Sequence, residues 1–193
     1  MGKRILVING HPDPRPERFC AALAEAYSTA AVDAGHDVRL LKVGELDFPL
    51  IRSRAEFEDG EPPGPIADAQ AMLKWAEHIV IVHPLWLGTA PALLKGFFEQ
   101  AFRYGFAVPQ PGQGMPGGLL GGRSARLIVT MGMPGFIYAT LFGGFGVRAM
   151  MRGILGISGI RPIRHLYLGQ VELSPDRRKQ WLDRVSELGG RAG

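Results

Sequence analysis

The sequence predicts a three-layer α/β/α sandwich in which a five-stranded parallel sheet lies between two layers of helices. Short apolar runs alternate with longer amphipathic segments, which is the pattern of parallel strands joined by helical crossovers. Turn residues separate the segments, and 193 residues suffice for one domain that buries a core without disulfides or metal. We therefore expect a single domain over residues 1–193.

The predicted strands are short and rich in β-branched residues. Ile79–Val82 is wholly apolar, which is typical of a parallel strand covered on both faces. Asn9-Gly10 ends the first run as a turn. In chain order the predicted strands are Ile5–Ile8, Asp37–Val43, Ile79–Val82, Ala125–Thr130 and Pro162–Leu168.

The predicted helices have apolar residues at three- and four-residue spacing. Phe19, Leu23 and Tyr27 share one stripe of the first helix, and Gly35 is typical of a residue that ends a helix. Pro91 suits the first turn of the third helix. In chain order the predicted helices are Arg18–Ala34, Ile66–Glu77, Pro91–Tyr104, Phe136–Met151 and Pro175–Leu188.

Two long stretches lack periodicity. Gly44–Pro65 is predicted as a loop, and Pro109–Gly122 is either a plain connector or a mobile flap. The uncharged stretch Leu127–Val147 is long enough for a bilayer, but Pro134 and several glycines interrupt it, so we expect no membrane span.

Charge and cysteine content exclude several classes. The net charge of +4 and pI near 9.5 are modest, and Arg177-Arg178-Lys179 is better explained as a solvated helix face than as a nucleic-acid patch. The single cysteine, Cys20, excludes a disulfide framework and multi-cysteine metal sites. We expect no metal and no nucleic acid, and a cytoplasmic location.

The loop after the first strand, Asn9–Arg18, is a candidate phosphate site. A turn that leads into a helix presents unpaired N–H groups, and His11, Arg15 and Arg18 add donors of suitable charge. The loop matches neither Walker nor Gly-x-Gly-x-x-Gly patterns. An exposed proline-rich turn explains it about as well.

The loop after the third strand begins His83-Pro84-Leu85-Trp86 and continues to Glu99. An aromatic residue between prolines at the end of a strand suggests a stiff apolar wall for a flat aromatic ligand. The alternative is that Trp86 closes the end of the core.

This segment, His83–Phe102, resembles the NAD(P)H:quinone oxidoreductase family of DT-diaphorase type, whose members have a flavodoxin-like fold. The string Pro-Leu-Trp…Pro-Ala-Leu-Leu-Lys-Gly-Phe-Phe-Glu carries the resemblance. Gly10-His11-Pro12 and Thr130-Met131-Gly132, followed by Tyr138, extend it over most of the chain.

The resemblance implies a flavin held by residues at three strand ends. FAD is favoured over FMN by the opening loop, and NAD(P)H is the implied co-substrate. The implied cofactor residues are His11, Arg18, Phe19, Cys20, Pro84, Leu85, Trp86, Leu87, Gly88, Thr130, Met131, Gly132 and Met133.

The implied reaction is a two-electron, ping-pong transfer of hydride from NAD(P)H through the flavin to a quinone. Tyr138 is the implied proton donor, and an acceptor pocket is expected from Trp86, Phe106, Tyr138 and Phe142. Core packing explains Tyr138 and Phe142 equally well. The family histidine six residues after the tyrosine is Gly144 here, so a Tyr/His relay is absent in that form.

The family also implies a homodimer with its site at the two-fold interface, although Val108 and Gln110 stand where tyrosines often reach across. Its smaller bacterial members include ancillary subunits of potassium-efflux systems, so a flavin-binding regulatory partner of a transporter is one alternative. A one-electron, flavodoxin-type carrier is another, but such carriers are usually acidic and this chain is basic.

Overall fold

The computed structural model, which describes residues 2–110 and 117–192, contains one sheet of five strands. Neighbouring strands are all parallel, as the sequence predicts. The strands are β1 Arg4–Asn9, β2 Asp37–Lys42, β3 His78–Pro84, β4 Ser124–Thr130 and β5 Ile163–Leu168. Their order across the sheet is β2-β1-β3-β4-β5.

Helices connect the strands and cover both faces of the sheet. A 3-10 turn, Val43–Glu45, follows β2, and a π-helical segment, Met150–Gly156, precedes β5. The helices are α1 Phe19–Asp33, α2 Arg54–Glu58, α3 Gly64–Trp75, α4 Ala92–Ala101, α5 Gly135–Thr140, α6 Phe145–Ala149 and α7 Pro175–Arg191.

The single helix predicted over Phe136–Met151 is wrong. Gly143 and Gly144 have φ of 60° and 61°, a left-handed conformation that ends α5 and turns the chain. The Gly144 N–H then donates to the Tyr138 carbonyl at 3.0 Å, and the chain restarts as α6. Apolar residues surround both pieces, so periodicity could not locate the break.

The predicted loop Gly44–Pro65 is more ordered than expected, since it contains the 3-10 turn and α2. The Arg103 guanidinium, beyond the end of α4, donates to the carbonyls of Glu56 and Gly60 and ties this stretch down. The choice between connector and flap for Pro109–Gly122 depends on residues 111–116, which lie outside the described residues.

The strand β3 separates two hydrophobic cores. Ile79 and Ile81 face one core, with α3 and α4, while Val80 and Val82 face the other, with α1 and α7. Every residue of β3 is buried. Burial of an aliphatic side chain contributes about 1.5–3 kcal/mol, so the middle of the sheet is the most strongly held part of the fold.

Among residues 2–110 and 117–192, no helix has the length and apolar character needed to cross a membrane. The uncharged stretch Leu127–Val147 is divided among β4, α5 and the start of α6.

A close backbone contact joins α1 to α7. A Cβ added at Gly189 would lie 2.3 Å from the Tyr27 carbonyl oxygen, closer than atoms can approach. At the neighbouring Gly190 the nearest atom, the Ala30 carbonyl oxygen, would be 3.9 Å away. Of these two glycines, only Gly189 lies where a side chain cannot fit.

We expect Gly189→Ala to lower the free energy of unfolding by about 1–3 kcal/mol, because α7 must move away from α1. Gly190→Ala is the matched control, and it should raise that free energy by up to about 1 kcal/mol through helix propensity. Urea denaturation measures both. Equal effects of the two substitutions would contradict the tight α1–α7 contact.

Candidate functional site

The sheet order places the candidate site. The chain passes from β1 outward to β2 and then back past β1 to β3, so strand order reverses beside β1. Ligands of open parallel sheets bind at such a point, beyond the carboxyl ends of the strands. Gly10 N–H donates to the Val82 carbonyl at 2.8 Å, and Leu85 N–H donates to the Thr130 carbonyl at 2.8 Å. The loops after β1, β3 and β4 therefore begin side by side.

In the first loop, Asp13 organises the basic residues. Its carboxylate accepts from Arg15 at 2.7 Å and from Arg18 at 2.5 Å. Desolvation alone would raise the pKa of Asp13, but hydrogen bonds from Arg15 and the charge of Arg15 lower it below its ordinary value. One carboxylate thus gathers two guanidinium groups beside the start of α1, leaving net positive charge.

His11 is oriented by the same loop. His11 Nδ1 lies 3.0 Å from the Asp13 backbone nitrogen and 3.1 Å from the Asp13 carbonyl oxygen, and these two contacts fix the direction of the ring. The His11 ring lies edge-on to Trp86, with centroids 5.7 Å apart and planes at 80°. The first loop therefore contacts the second.

The start of α1 offers backbone donors. The first N–H groups of any helix lack acceptors within the helix, and the N-cap residue Arg18 provides no side-chain cap. The side chain of Cys20 turns away into the core, 2% exposed, with Sγ 3.5 Å from Thr130 Oγ1. Desolvation raises the pKa of Cys20 to about 11. Cys20 can therefore serve a ligand only through its backbone.

Phe19, also predicted to hold cofactor, is half-buried at the start of α1. The guanidinium of Arg178, on α7, lies 5.4 Å from its ring centroid. The helix α7 thus brings further positive charge to the same edge of the sheet.

The second loop contains a tight turn, Trp86–Thr89. Two hydrogen bonds between Trp86 and Thr89, of 2.9 and 3.1 Å, close the turn. Leu87 and Gly88, between them, have φ of 49° and 81°, which defines a type I′ turn. A residue other than glycine in this conformation costs of order 1–3 kcal/mol. Leu87 is strained, and its side chain is fully exposed.

Trp86 is 48% exposed. The interpretation that Trp86 closes the end of the core is therefore wrong, and its ring is free to contact a ligand. Pro84 is buried at the end of β3, and Leu85 is half-buried. Among residues 84–89, only those of the turn are exposed.

The third loop, residues 130–133, is buried where it leaves β4 and exposed beyond that point. Thr130 and Met131 are buried, and Met131 N–H donates to the Leu168 carbonyl at 2.9 Å. Gly132 and Met133 are exposed. Of these four predicted residues, only Gly132 and Met133 reach the surface beside the strand ends.

Tyr138 is 1% exposed and ties the second loop to α6. Its hydroxyl donates to the Gly88 carbonyl at 2.8 Å and accepts from Val147 N–H at 3.3 Å. To act as a proton donor to a substrate, the hydroxyl would have to leave Gly88. That role stays a prediction.

The expected acceptor pocket is not assembled within one chain. Phe106 is 8% exposed, and the Lys74 ammonium lies 5.5 Å from its ring centroid. Lys74 is in the last turn of α3, which leads into the start of β3, so Phe106 lies at the opposite edge of the sheet from Trp86. The grouping of Phe106 with Trp86 in a single chain is wrong, because α4 separates them.

Phe142 is 47% exposed in the connection from α5 to α6. The first turn of α6, which follows this connection, approaches the second loop closely, since a Cβ on Gly146 would lie 2.2 Å from the Gly88 carbonyl oxygen. Exposed apolar side chains surround the connection: Phe136, Leu141 and Phe145.

His83, near the end of β3, does not line the exposed edge. It is 1% exposed, and Nδ1–H donates to the Pro84 carbonyl at 2.9 Å. Desolvation by burial lowers the pKa of His83 to about 4. It stays neutral at physiological pH and acts as part of the core.

Sequence reasoning missed Asp13 and Gly146. Asp13 stands two residues from both His11 and Arg15, and that spacing was the available signal for a charged cluster. Gly146 gave no signal, because its contact with Gly88 joins residues that are distant in sequence.

A parallel sheet in this order, with three loops converging where strand order reverses, defines a protein of the flavodoxin-like class. Residues 3–189 match the model of the family described as the flavodoxin-like fold. The chain belongs to that family.

Curated relatives extend the comparison. An uncharacterised NAD(P)H oxidoreductase of Haemophilus influenzae is 26% identical over 183 residues, 91% of this chain and 88% of the relative. A ribosyldihydronicotinamide dehydrogenase-like protein of Penicillium crustosum is 29% identical over 155 residues, 67% of this chain and 57% of the relative. An FMN-dependent NADH:quinone oxidoreductase of Pseudomonas aeruginosa is 26% identical over 118 residues, 60% of this chain and 52% of the relative. The chain thus spans little more than half of the last two.

A shorter match, 37% over 76 residues, relates 39% of this chain to 38% of a potassium-efflux ancillary protein of Serratia proteamaculans. Among solved structures, a Streptococcus mutans protein superposes with a TM-score of 0.78 at 26% identity, covering 97% of this chain and 99% of the other. An FMN-dependent NADH-azoreductase of Bacillus anthracis, solved with FMN, gives 0.78 at 15% identity, covering 98% and 99%. That likeness shows the fold alone.

We expect Cys20 to resist alkylation by iodoacetamide at pH 8 in the folded protein, because its thiol is buried and its pKa is about 11. In urea the same thiol should react within minutes. Cys20 is the only cysteine, so intact mass spectrometry measures the labelling without ambiguity. Rapid labelling of the native protein would show that Cys20 faces solvent after all.

Proposed function

We propose that this protein is a flavin-dependent NAD(P)H oxidoreductase that reduces quinone-like acceptors by two-electron transfer. The observation that carries the proposal is the convergence of an arginine-bearing helix start, an exposed tryptophan turn and an open glycine loop at one edge of the sheet. The names of the Haemophilus, Penicillium and Pseudomonas relatives support this assignment.

The residues present suit a flavin. Backbone N–H groups at the start of α1, with Arg18, suit the cofactor's phosphate. The exposed ring of Trp86 offers an apolar surface for a planar ring system. At Gly132 the nearest atom to an added Cβ would be 4.0 Å away, so space remains beside the third loop. When bound, the flavin would take a hydride from NAD(P)H and deliver it to the quinone.

The protein's own part is to bind and orient. His11 is held by Asp13 and lies edge-on to Trp86, so it joins the first loop to the second. The neutral His83 and the protonated Cys20 below the site add no charge that would repel or attract the ligand. No side chain of the site needs to act as an acid or base if water protonates the product.

FMN is the proposed flavin, in place of the FAD that the opening loop favoured. The preference for FAD is not supported, because the relatives and solved structures whose names state a flavin, from Pseudomonas and Bacillus, state FMN. A cytoplasmic location belongs to the same proposal, since a buried reduced thiol and NAD(P)H both suit a reducing compartment.

We expect FMN to bind the purified protein at micromolar concentration and to support menadione-dependent oxidation of NADH or NADPH. Trp86→Ala should raise the FMN dissociation constant about three- to tenfold, because stacking on an aromatic ring contributes about 0.5–1.5 kcal/mol. Flavin fluorescence titration and NAD(P)H absorbance measure the two effects.

Trp75→Ala is the matched control, because Trp75 ends α3 at the opposite edge of the sheet, under the Arg39 guanidinium. Its FMN affinity should equal that of the unmodified protein. Absence of binding by both FMN and FAD would end the enzymatic proposal.

We also propose a homodimer built on the apolar surface around α5 and α6. Phe136, on α5, and Phe145, on α6, are 70% and 72% exposed, which is unusual for aromatic side chains on a monomer. Since Phe106 lies at the far edge of its own sheet, it can line an acceptor pocket only if a second copy supplies it. The arrangement requires a two-fold interface that carries Phe106 of the second copy to the strand ends where Trp86 lies.

We expect Phe145→Asp to convert the dimer to a monomer and to lower quinone reduction at least tenfold, because a buried unpaired carboxylate opposes association. Val32→Asp, on the outer face of α1 where Val32 is 55% exposed, is the control and should remain dimeric. Sedimentation velocity measures the assembly state. A monomeric unmodified protein with full activity would contradict the dimer.

A second candidate is a flavin-binding regulatory partner of a membrane transporter, and the Serratia match favours it. That role uses the same flavin site, so FMN binding does not separate the two. Turnover separates them: quinone reduction too slow to measure, with FMN bound, would favour regulation.

A further inference from the structure

The turn Trp86–Thr89 is not stabilised by its own sequence. A type I′ turn requires positive φ at both central residues, for which Asn-Gly is the preferred pair. Here the first central residue is Leu87, at φ 49°, and its wholly exposed side chain gains no burial in return. A strained conformation of this kind persists only where neighbouring structure holds it.

The hydroxyl of Tyr138 holds the middle of this turn. It donates to the carbonyl of Gly88, at the centre of the turn, at 2.8 Å. It also accepts from Val147 N–H at 3.3 Å, so the same oxygen connects the turn to α6. The ring is 1% exposed, the bond to Val147 is buried and the bond to Gly88 is partly buried, so the hydroxyl is largely shielded from water.

The approach of α6 completes the grip. Gly146 packs so closely on Gly88 and Thr89 that any Cβ would collide with their backbone atoms, the nearest at 2.2 Å. The paired left-handed residues Gly143 and Gly144 turn the chain so that α6 can come this near. The turn is therefore held by the hydrogen bond from Tyr138 and by the packing of Gly146 against its backbone.

We propose that Tyr138 is a positioning residue that holds the Trp86–Thr89 turn in the conformation that receives the flavin. This inference rests on the proposed function, and it assigns the tyrosine a role different from the proton donor expected from the sequence. The hydroxyl proton of Tyr138 is donated to the Gly88 carbonyl. Removal of the Tyr138 hydroxyl therefore weakens cofactor binding and leaves the chemical step intact.

Tyr167 provides a matched comparison. Its ring meets that of Tyr138 edge to face at 5.4 Å and 90°. Among the described residues its hydroxyl makes no hydrogen bond, so Tyr167→Phe removes the same atom without releasing the turn.

The first test uses flavin-free protein, so it does not depend on activity. Hydrogen exchange of residues 85–91, followed by mass spectrometry, should be at least about fivefold faster in Tyr138→Phe, since a lost hydrogen bond changes local opening by that order. Tyr167→Phe should exchange like the unmodified protein. Unchanged exchange in Tyr138→Phe overturns the proposal.

The second test measures FMN affinity, and kcat at saturating FMN as a function of pH. Tyr138→Phe should raise the FMN dissociation constant about five- to tenfold, with kcat within twofold and its pH profile unchanged. A hundredfold fall in kcat with unchanged FMN affinity would identify a proton donor and overturn the proposal. If neither the unmodified protein nor any variant binds flavin, the proposed function fails. The hydrogen-exchange result still tests whether Tyr138 holds the Trp86–Thr89 turn.

A third variant gives the turn a sequence that favours the type I′ conformation without help from Tyr138. Leu87→Asn creates the preferred Asn-Gly pair, so in the Tyr138→Phe background it should restore slow exchange at residues 85–91 and most of the FMN affinity. If Tyr138→Phe fails to fold, Leu87→Asn alone should still slow exchange in this segment. If Leu87→Asn gives neither rescue nor slower exchange, the turn is not strained at Leu87 and the proposal is overturned.

Discussion

Complete burial of β3 between β1 and β4 is the constraint on which the rest of the structure depends. Because both faces of this strand are covered, its two neighbours must pair in register, and their carboxyl ends align with its own. The bonds from Gly10 to Val82 and from Leu85 to Thr130 continue that alignment beyond the strands. The candidate site is a consequence of this packing, because the aligned ends of β1, β3 and β4 are what bring the three loops together.

The loops are held by different forces, and the difference suits their proposed tasks. Asp13, Arg15 and Arg18 form an exposed charged cluster, which solvent and salt screen. Such a cluster can rearrange when an anion arrives. The Trp86–Thr89 turn is held by neutral hydrogen bonds through the buried Tyr138 and by backbone contact with Gly146, which salt does not screen. The charged cluster can thus adapt to a phosphate, and the Trp86–Thr89 turn can present a rigid surface to a planar ring.

The described site contains little that could perform acid–base or nucleophilic chemistry itself. Burial keeps His83 neutral and Cys20 protonated, and the hydroxyl proton of Tyr138 is committed to a carbonyl. This arrangement is consistent with a reaction in which a cofactor carries the electrons and the protein provides shape. The distance of Phe106 from Trp86 adds a requirement that one chain does not meet, and a second copy is the simplest source of the missing wall.

The sequence by itself determined the five strands, the main helices and the three loops of the site, because apolar period and turn residues are local properties that fix strand and helix. It also determined membership of the family, through the string after β3. The break at Gly143-Gly144 was decided by tertiary structure, since apolar residues on every side of Phe136–Met151 conceal where a helix ends. Tertiary structure likewise decided the exposure of Trp86, the separation of Phe106 and the bond of Tyr138 to Gly88. Each depends on contacts between residues far apart in the chain, and no local pattern shows that the Tyr138 hydroxyl will meet the Gly88 carbonyl.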